Sequence, residues 1–197
     1  MVTEDHLPAF PRSYRVKVLD ELPTTKLRTL FFPGASEING RDGLIVSVIP
    51  NQGSPWIGIF GFGFGGEAVT ALSSTPNASK LLVVSRGAGY IVSSENPSDW
   101  HGIREIVPIM TVWPAPEHGI IVLADYTVIA AVGAAGLEWT TGRISFDGIV
   151  ITNIDSGYIE VEAWDPTTPV RPRFRVDIRS GKHEGGSSPA KYGVPGD

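Results

Sequence analysis

The sequence predicts an all-β protein, an antiparallel meander of about ten to twelve short strands. Short segments alternate polar and apolar side chains with period two, as residues 14–19 and 158–164 do. Glycine and proline, 23 and 16 residues of the 197, are spread between such segments. No long stretch repeats apolar residues at the helical period.

The predicted strands follow one another at roughly 8–12-residue spacing, which is typical of a sandwich, a barrel or a partial propeller. These strands are drawn from thirteen candidate segments: residues 14–19, 27–32, 44–49, 56–60, 81–85, 90–93, 110–113, 120–124, 127–132, 143–146, 149–154, 158–164 and 173–178. Residues 81–93 and 120–132 share the order strand, break, strand. This similarity indicates either two propeller-blade units or an ordinary meander.

Asp147-Gly148 is among the strongest short-range turn signals. It lies between a predicted strand over residues 143–146, preceded by Trp139, and the strand 149–154. Asp-Gly between apolar runs favours a hairpin turn because glycine adopts positive φ at little steric cost. The sequence therefore predicts a β-hairpin centred on this dipeptide.

One β domain is predicted over residues 14–180. A chain of this size can form a single core, since it buries roughly 70% of its unfolded surface. Residues 1–13 are predicted to be a poorly tied N-terminal arm, and residues 181–197, rich in glycine, serine and proline, a flexible tail.

Composition excludes several classes of function. The net charge of −5 and the lack of any run of four Lys or Arg residues argue against nucleic-acid binding. The chain has no cysteine, which excludes disulfides, thiolate metal sites and cysteine nucleophiles. The acidic N-terminus lacks the apolar core of a secretory signal, and the most apolar stretch, residues 119–137, is interrupted by Asp125. We expect a soluble, cytoplasmic protein without membrane contact, metal or cofactor.

The second half of the chain resembles an uncharacterised bacterial family. Its pattern is an Asp, a Gly, Trp-x-x-x-Arg-Ile-Ser-x-Asp-Gly, then Phe-x-Val-Asp-x-x-x-Gly and a closing Gly-Gly. The matching residues are Asp125, Gly136, Trp139, Arg143, Ile144, Ser145, Asp147, Gly148, Phe174, Val176, Asp177, Gly181, Gly185 and Gly186. The resemblance covers about a third of the chain. It implies a β fold and transfers no catalytic residue.

The glycine-rich segment 61–66 formally matches the dinucleotide pattern Gly-x-Gly-x-x-Gly. That function requires a helix of ten or more residues after the glycines and then a parallel strand. The segment 67–74 is too short for such a helix. We therefore predict a β-loop in which Phe62 and Phe64 are packing or contact residues.

Catalytic patterns are weak. His101 and His118 have no metal-ligand spacing, and no Gly-x-Ser-x-Gly motif is present. Glu160 and Glu162 lie on one face of a predicted strand, about 7 Å apart by strand rise. This spacing suits a pair of catalytic carboxylates on a β scaffold. It is equally typical of the solvated face of an antiparallel sheet.

The five tryptophans, several at strand ends, indicate either capping of a β core or exposed rings that hold a ligand. We expect a non-enzymatic binding or protein-interaction module of the immunity or accessory type, with a protein or carbohydrate partner. The alternative is a carbohydrate-active hydrolase that uses paired carboxylates. Exposed sheet edges also favour a homodimer. The predicted binding residues are Phe62, Phe64, Asp125, Glu138, Trp139, Arg143 and Asp147.

Two further expectations can be checked by geometry. An enzyme would bring two or more carboxylates of the set Glu67, Asp125, Glu138 and Asp147 together beside a tryptophan. Arg143 is expected to stack its guanidinium on the ring of Trp139 in a structural pair.

Overall fold

The computed structural model describes residues 4–24, 26–33, 35–36, 42–64, 66–155 and 157–187. These residues form seventeen β-strands and one short 3₁₀ helix, Pro116–His118, so the all-β prediction is confirmed. None of them forms a helix long and apolar enough to cross a membrane. The strands exceed the predicted number because several have only two to four residues, too few to show a clear period of two: Glu4–His6, Ala71–Ser74, Trp100–Ile103, Leu137–Thr140 and His183–Glu184.

The chain divides into two compact units, Met1–Ile109 (unit 1) and Met110–Asp197 (unit 2). The described part of unit 1 contains β1 (Glu4–His6), β2 (Tyr14–Leu19), β3 (Arg28–Phe31), β4 (Gly43–Pro50), β5 (Trp56–Gly61), β6 (Ala71–Ser74), β7 (Lys80–Ser85), β8 (Ala88–Ser93) and β9 (Trp100–Ile103). They form two sheets, with strand orders β2-β4-β5-β3 and β1-β6-β7-β8-β9.

Two edge strands of unit 1 pair in parallel, which the prediction of an antiparallel meander did not include. Strand β1 pairs with β6, and β3 pairs with β5. Each reaches the edge of its sheet through a crossover, and side-chain alternation carries no information about a crossover. The remaining pairs of unit 1 are antiparallel.

The core of unit 1 is built around aromatic side chains from both sheets. The rings of Phe32 and Phe60 stack with their centroids 4.1 Å apart. Trp56 is buried and donates from its indole nitrogen to the carbonyl of Ser94 at 2.7 Å. The hydroxyl of Tyr90 donates to the carbonyls of Pro33 and Gly61, and burial raises the pKa of this phenol. Each polar end of a buried ring thus has a partner.

The described part of unit 2 forms two four-stranded antiparallel meanders in chain order. The strands are β10 (Thr111–Ala115), β11 (Ile120–Ala124), β12 (Ile129–Val132), β13 (Leu137–Thr140), β14 (Ile149–Ile154), β15 (Tyr158–Ala163), β16 (Arg173–Asp177) and β17 (His183–Glu184). Aliphatic side chains of both sheets, together with Ile144 and Phe174, form one core. Strands β15 and β16 alternate buried and solvent-facing residues, as their sequences predict.

The single domain predicted over residues 14–180 stays a prediction, as do its flanking arm and tail. Within the described residues, β1 lies in the segment predicted to be the arm, and β17 in the segment predicted to be the tail. Strand β1 pairs with β6 and β17 pairs with β16. The predicted flexibility of residues 188–197 falls outside the described residues.

The segment 141–148 is a loop and not the predicted strand and hairpin. It connects β13 to β14, which belong to different sheets. Its backbone amides bond to scattered carbonyls: Ile144 donates to Thr127 at 2.9 Å and Gly148 to Tyr126 at 2.7 Å. The buried Ser145 hydroxyl donates to the carbonyl of Gly148 at 2.9 Å. These bonds leave no ladder for a strand, although the predicted positive φ of Gly148 is present, at 117°.

Gly148→Val is expected to lower the free energy of unfolding by about 1–3 kcal/mol, because a β-branched residue is strained at positive φ. Thermal or urea unfolding followed by circular dichroism measures the change. Gly142→Val is the matched control, since a Cβ at Gly142 meets no atom within 4 Å. Equal unfolding midpoints for the two variants would contradict a conformational requirement for glycine at position 148.

Candidate functional site

The four carboxylates considered for a catalytic set do not all come together. They have different structural roles or lie in different parts of the fold. Asp125 accepts bonds from the backbone amides of Thr127 and Val128 at 2.6 and 2.7 Å, which makes it the acceptor of a turn between β11 and β12. Glu138, on β13, lies over Gly133, where a Cβ would meet its carboxylate. Gly133 follows the far end of β12. At about 3.3 Å per residue, the four-residue β12 separates Asp125 from Glu138 by roughly 13 Å.

Asp147 lies in the loop that bonds to the β11–β12 turn, close in the fold to Asp125. It is exposed, and its carboxylate has no hydrogen bond or ion pair among the described residues. Glu67 is exposed in unit 1. Within unit 2, therefore, Asp125 and Asp147 are neighbours while Glu138 is not. Asp125 is already committed to its turn, so no catalytic pair results.

The carboxylate pair Glu160 and Glu162 belongs to the solvated face of the sheet. Each is directly opposite an arginine of β16 and bonds to it at 2.7 Å, Glu160 to Arg175 and Glu162 to Arg173. Cross-strand pairs of opposite charge stabilise a sheet surface modestly. Both carboxylates are therefore engaged in ion pairs with the neighbouring strand.

Trp139 and Arg143 each have a structural role, but they do not stack on each other. The indole nitrogen of Trp139 donates to the carbonyl of Ile178 at 3.0 Å, and a Cβ at Gly181 would lie 2.6 Å from its ring. The guanidinium of Arg143 donates to the carbonyls of Ser145 and Phe146 at 3.2 and 3.0 Å. The cation–π pairs of the described residues are Arg86 with Phe62 and Arg175 with Tyr158. The expected stacking of Arg143 on Trp139 was wrong because the guanidinium instead donates hydrogen bonds to carbonyls of its own loop.

An open concavity of about 1180 Å³ lies on unit 2, between the ends of β13 and the strands β15–β17. Its charged lining includes Glu160, Arg175, Asp177 and Lys182, and Arg175 lies 5.8 Å from the ring centroid of Tyr158. The pKa of Asp177 is lowered, chiefly by the hydroxyl of Ser180 and then by backbone amides. A lowered carboxyl pKa suits a turn acceptor and not a general acid. The concavity therefore presents hydrogen-bonding groups and charges of both signs.

The described residues contain no group of three His, Asp or Glu side chains that could hold a metal ion. The imidazole of His118 contacts the carbonyl of Asp155 at 3.1 Å, and His6 pairs with Glu4. Neither arrangement is a metal site.

Phe62 and Phe64 belong to the loop that follows β5 in unit 1. The amides of Gly63 and Phe64 donate to the carbonyls of Ser85 and Arg86 at 2.9 and 2.8 Å, beside the tip of the β7–β8 hairpin. A Cβ at Gly63 would lie 2.6 Å from the carbonyl oxygen of Arg86, so only glycine fits there. This close backbone approach explains Gly63 without a dinucleotide.

Arg86 is the residue that the sequence did not predict as a binding residue. Arg86-Gly87 is the two-residue loop of the hairpin, with φ of 47° and 83°. Positive φ at both positions is typical of a type I′ turn, which favours Asn-Gly and disfavours a long side chain at the first position. The guanidinium lies over the ring of Phe62, 4.1 Å from its centroid. The sequence signal that could have identified this turn is the Arg-Gly dipeptide between two apolar runs.

We call Phe62, Phe64 and Arg86 together the Phe64 surface. Phe64 is 65% exposed and Arg86 is exposed, whereas Phe62 is half-buried against the core. A solitary exposed apolar side chain is ordinary on a protein surface. Here the residue that carries the exposed ring is bonded through its backbone to Arg86, whose φ is strained, and backbone strain of this kind concentrates at functional sites.

No family model matches the chain, and no curated protein matches it. Among solved structures, the chain is similar to one described as the crystal structure of the N-terminal domain of Nup159. The identity is 14% and the TM-score 0.43. The similarity covers 98% of this chain and 56% of that one, so the chain spans little more than half the length of its structural neighbour.

Arg86→Asn is expected to raise the free energy of unfolding by about 0.5–1 kcal/mol. Asparagine tolerates positive φ far better than arginine, and this gain exceeds the loss of an exposed cation–π contact. Urea unfolding measures the difference. Arg104→Asn is the matched control, an exposed arginine of unit 1 without positive φ. A fall in stability with Arg86→Asn alone would show that position 86 stores no strain.

Asp177→Asn is expected to reduce the loss of stability in acid. A carboxylate whose pKa is lowered by folding stabilises the native state above its unfolded pKa, about 3.9, and this contribution disappears as the pH falls through the lower, folded value. The comparison is the unfolding midpoint of each chain between about pH 5 and 2. Asp147→Asn removes an equivalent surface charge that has no hydrogen-bond partner and serves as the control. Parallel acid profiles for the wild type and Asp177→Asn would contradict the expectation.

Proposed function

We propose that this chain is a non-enzymatic protein-interaction module that contacts its partner through the Phe64 surface. The observation that carries the proposal is Phe64, 65% exposed, whose backbone amide is bonded to the carbonyl of Arg86, the residue whose guanidinium stacks on Phe62. Aromatic and arginine side chains are enriched at protein interfaces. The amides of Gly63 and Phe64 are bonded to the hairpin tip, which fixes the backbone from which the ring projects and lowers the entropic cost of binding.

The type of module is inferred from the net charge of the chain and from the hydrogen bonds and ion pairs that its carboxylates form. The chain carries a net charge of −5. Its best carboxylate candidates either accept turn amides, as Asp125 does, or pair with arginines, as Glu160 and Glu162 do. A protein of the immunity or accessory type needs only a surface that covers its partner, without a reactive centre. We do not propose the carbohydrate-active hydrolase, because none of these carboxylates has a geometry suited to a general acid.

The proposal is tested by affinity capture from cells of the source organism with matched baits. The wild-type chain, Phe64→Ser and Val170→Ser are compared, since Val170 is also strongly exposed but lies in a loop of unit 2. A captured protein is then purified and its Kd for each chain measured by calorimetry. Loss of a central aromatic contact is expected to weaken binding roughly 30-fold.

Val170→Ser is expected to keep the wild-type Kd. A partner that binds the Phe64→Ser and wild-type chains equally well would contradict the assignment of the Phe64 surface. Size-exclusion chromatography of the same three chains identifies a second copy as the partner. If the wild type dimerises and Phe64→Ser does not, then the partner is this chain itself.

A further inference from the structure

The guanidinium of Arg86 is oriented but has no acceptor. It lies 4.1 Å from the ring centroid of Phe62, so the ring covers one side of it. Among the described residues no carboxylate or carbonyl accepts a bond from its N–H groups. Arg173 and Arg175 are each paired with a glutamate, and Arg143 is bonded to loop carbonyls. Arg86 therefore presents a planar set of donors to solvent.

The backbone limits where those donors can be. Gly87 is buried, donates its amide to the carbonyl of Val69 and accepts at its own carbonyl from the amide of Ile109, both at 2.9 Å. A Cβ at Gly87 would meet Pro108 and Ala68 at 2.8 and 2.9 Å. These contacts hold the hairpin tip in place and keep Arg86 at its φ of 47°. An arginine fixed at both its backbone and its ring loses less side-chain entropy on binding than a free one.

The ligand chemistry follows from this geometry. A guanidinium binds a carboxylate through two parallel N–H bonds. A phosphate site usually gathers several cations, whereas the Phe64 surface contains one. Phe64, bonded through its amide to the carbonyl of Arg86, adds an exposed apolar side chain on a residue that contacts the arginine backbone. A net charge of −5 gives the chain no general attraction for anions, so recognition depends on the local arrangement.

We propose that the Phe64 surface binds a carboxylate that adjoins an apolar side chain on a protein partner, either an acidic side chain or a chain terminus. The carboxylate pairs with Arg86, and the apolar group packs on Phe64. This inference rests on the proposed function and adds to it the chemistry of the partner.

The test is an NMR titration of the full chain with four small probes. N-acetyl-phenylalanine carries a terminal carboxylate, and N-acetyl-aspartyl-phenylalaninamide carries a side-chain carboxylate. N-acetyl-phenylalaninamide is the neutral control, and inorganic phosphate is the alternative anion. The readouts are the backbone amides of Gly63, Phe64 and Gly87 and the Nε–H signal of Arg86. We expect at least one carboxylate probe to bind about tenfold more tightly than the neutral amide, as a charge-assisted hydrogen bond provides.

Two variants separate charge from geometry. Arg86→Lys keeps the charge but loses the planar donor pair, and it is expected to weaken binding of the carboxylate probe about tenfold. Arg104→Lys, at another exposed arginine of unit 1, is expected to leave binding unchanged. Equal binding by the Arg86→Lys and wild-type chains would overturn the paired-donor geometry.

Three other results of the titration would overturn the proposed carboxylate site. Equal binding of the neutral amide and the carboxylates would reduce the site to an apolar contact and overturn the proposal. Phosphate binding as tightly as the carboxylates would overturn it in favour of a phosphorylated ligand. Absence of any shift with the carboxylate probes would overturn it as well. The proposed function fails separately, when Phe64→Ser leaves partner binding intact.

Discussion

Buried backbone amides outside the strand ladders are the constraint on which the rest of this structure depends. Short strands leave many turn residues inside the units, and each buried amide there needs a partner. The amide and carbonyl of Gly87 obtain theirs from Val69 and Ile109, and Gly148 obtains its amide partner from Tyr126. Both glycines adopt positive φ to reach these partners. The loops at these two glycines are consequently tied to neighbouring segments by backbone hydrogen bonds.

The Phe64 surface is a consequence of that constraint. In the two-residue turn, Arg86 and the anchored Gly87 both adopt positive φ, the type I′ geometry that matches the twist of a hairpin. The carbonyl of Arg86 accepts from the amide of Phe64, and its guanidinium stacks on Phe62. Backbone hydrogen bonds at the hairpin tip therefore bring together the strained arginine and the loop that carries the exposed aromatic residue.

The sequence predicted what depends on local pattern. Alternation identified β2, β4, β15 and β16, and Asp147-Gly148 correctly indicated a glycine at positive φ. The prediction failed where the hydrogen-bond partners are distant in the sequence. Residues 143–146 alternate like a strand but bond to Thr127, Trp164 and one another. Phe62 and Phe64 were selected from their unusual glycine-rich setting. Arg86 was not, because its contact with Phe62 exists only after β5 and the β7–β8 hairpin come together.

The two units use their polar side chains differently. In unit 2, Asp125 and Asp177 accept turn amides, and the Ser145 hydroxyl bonds to a loop carbonyl, so these groups are satisfied within the fold. Strong local consistency of this kind indicates a structural purpose. Arg86 has the opposite character, because a residue poorly suited to its φ is exposed, stacked on Phe62 and without an acceptor for its guanidinium among the described residues. The carboxylate that we propose as its ligand would supply that acceptor.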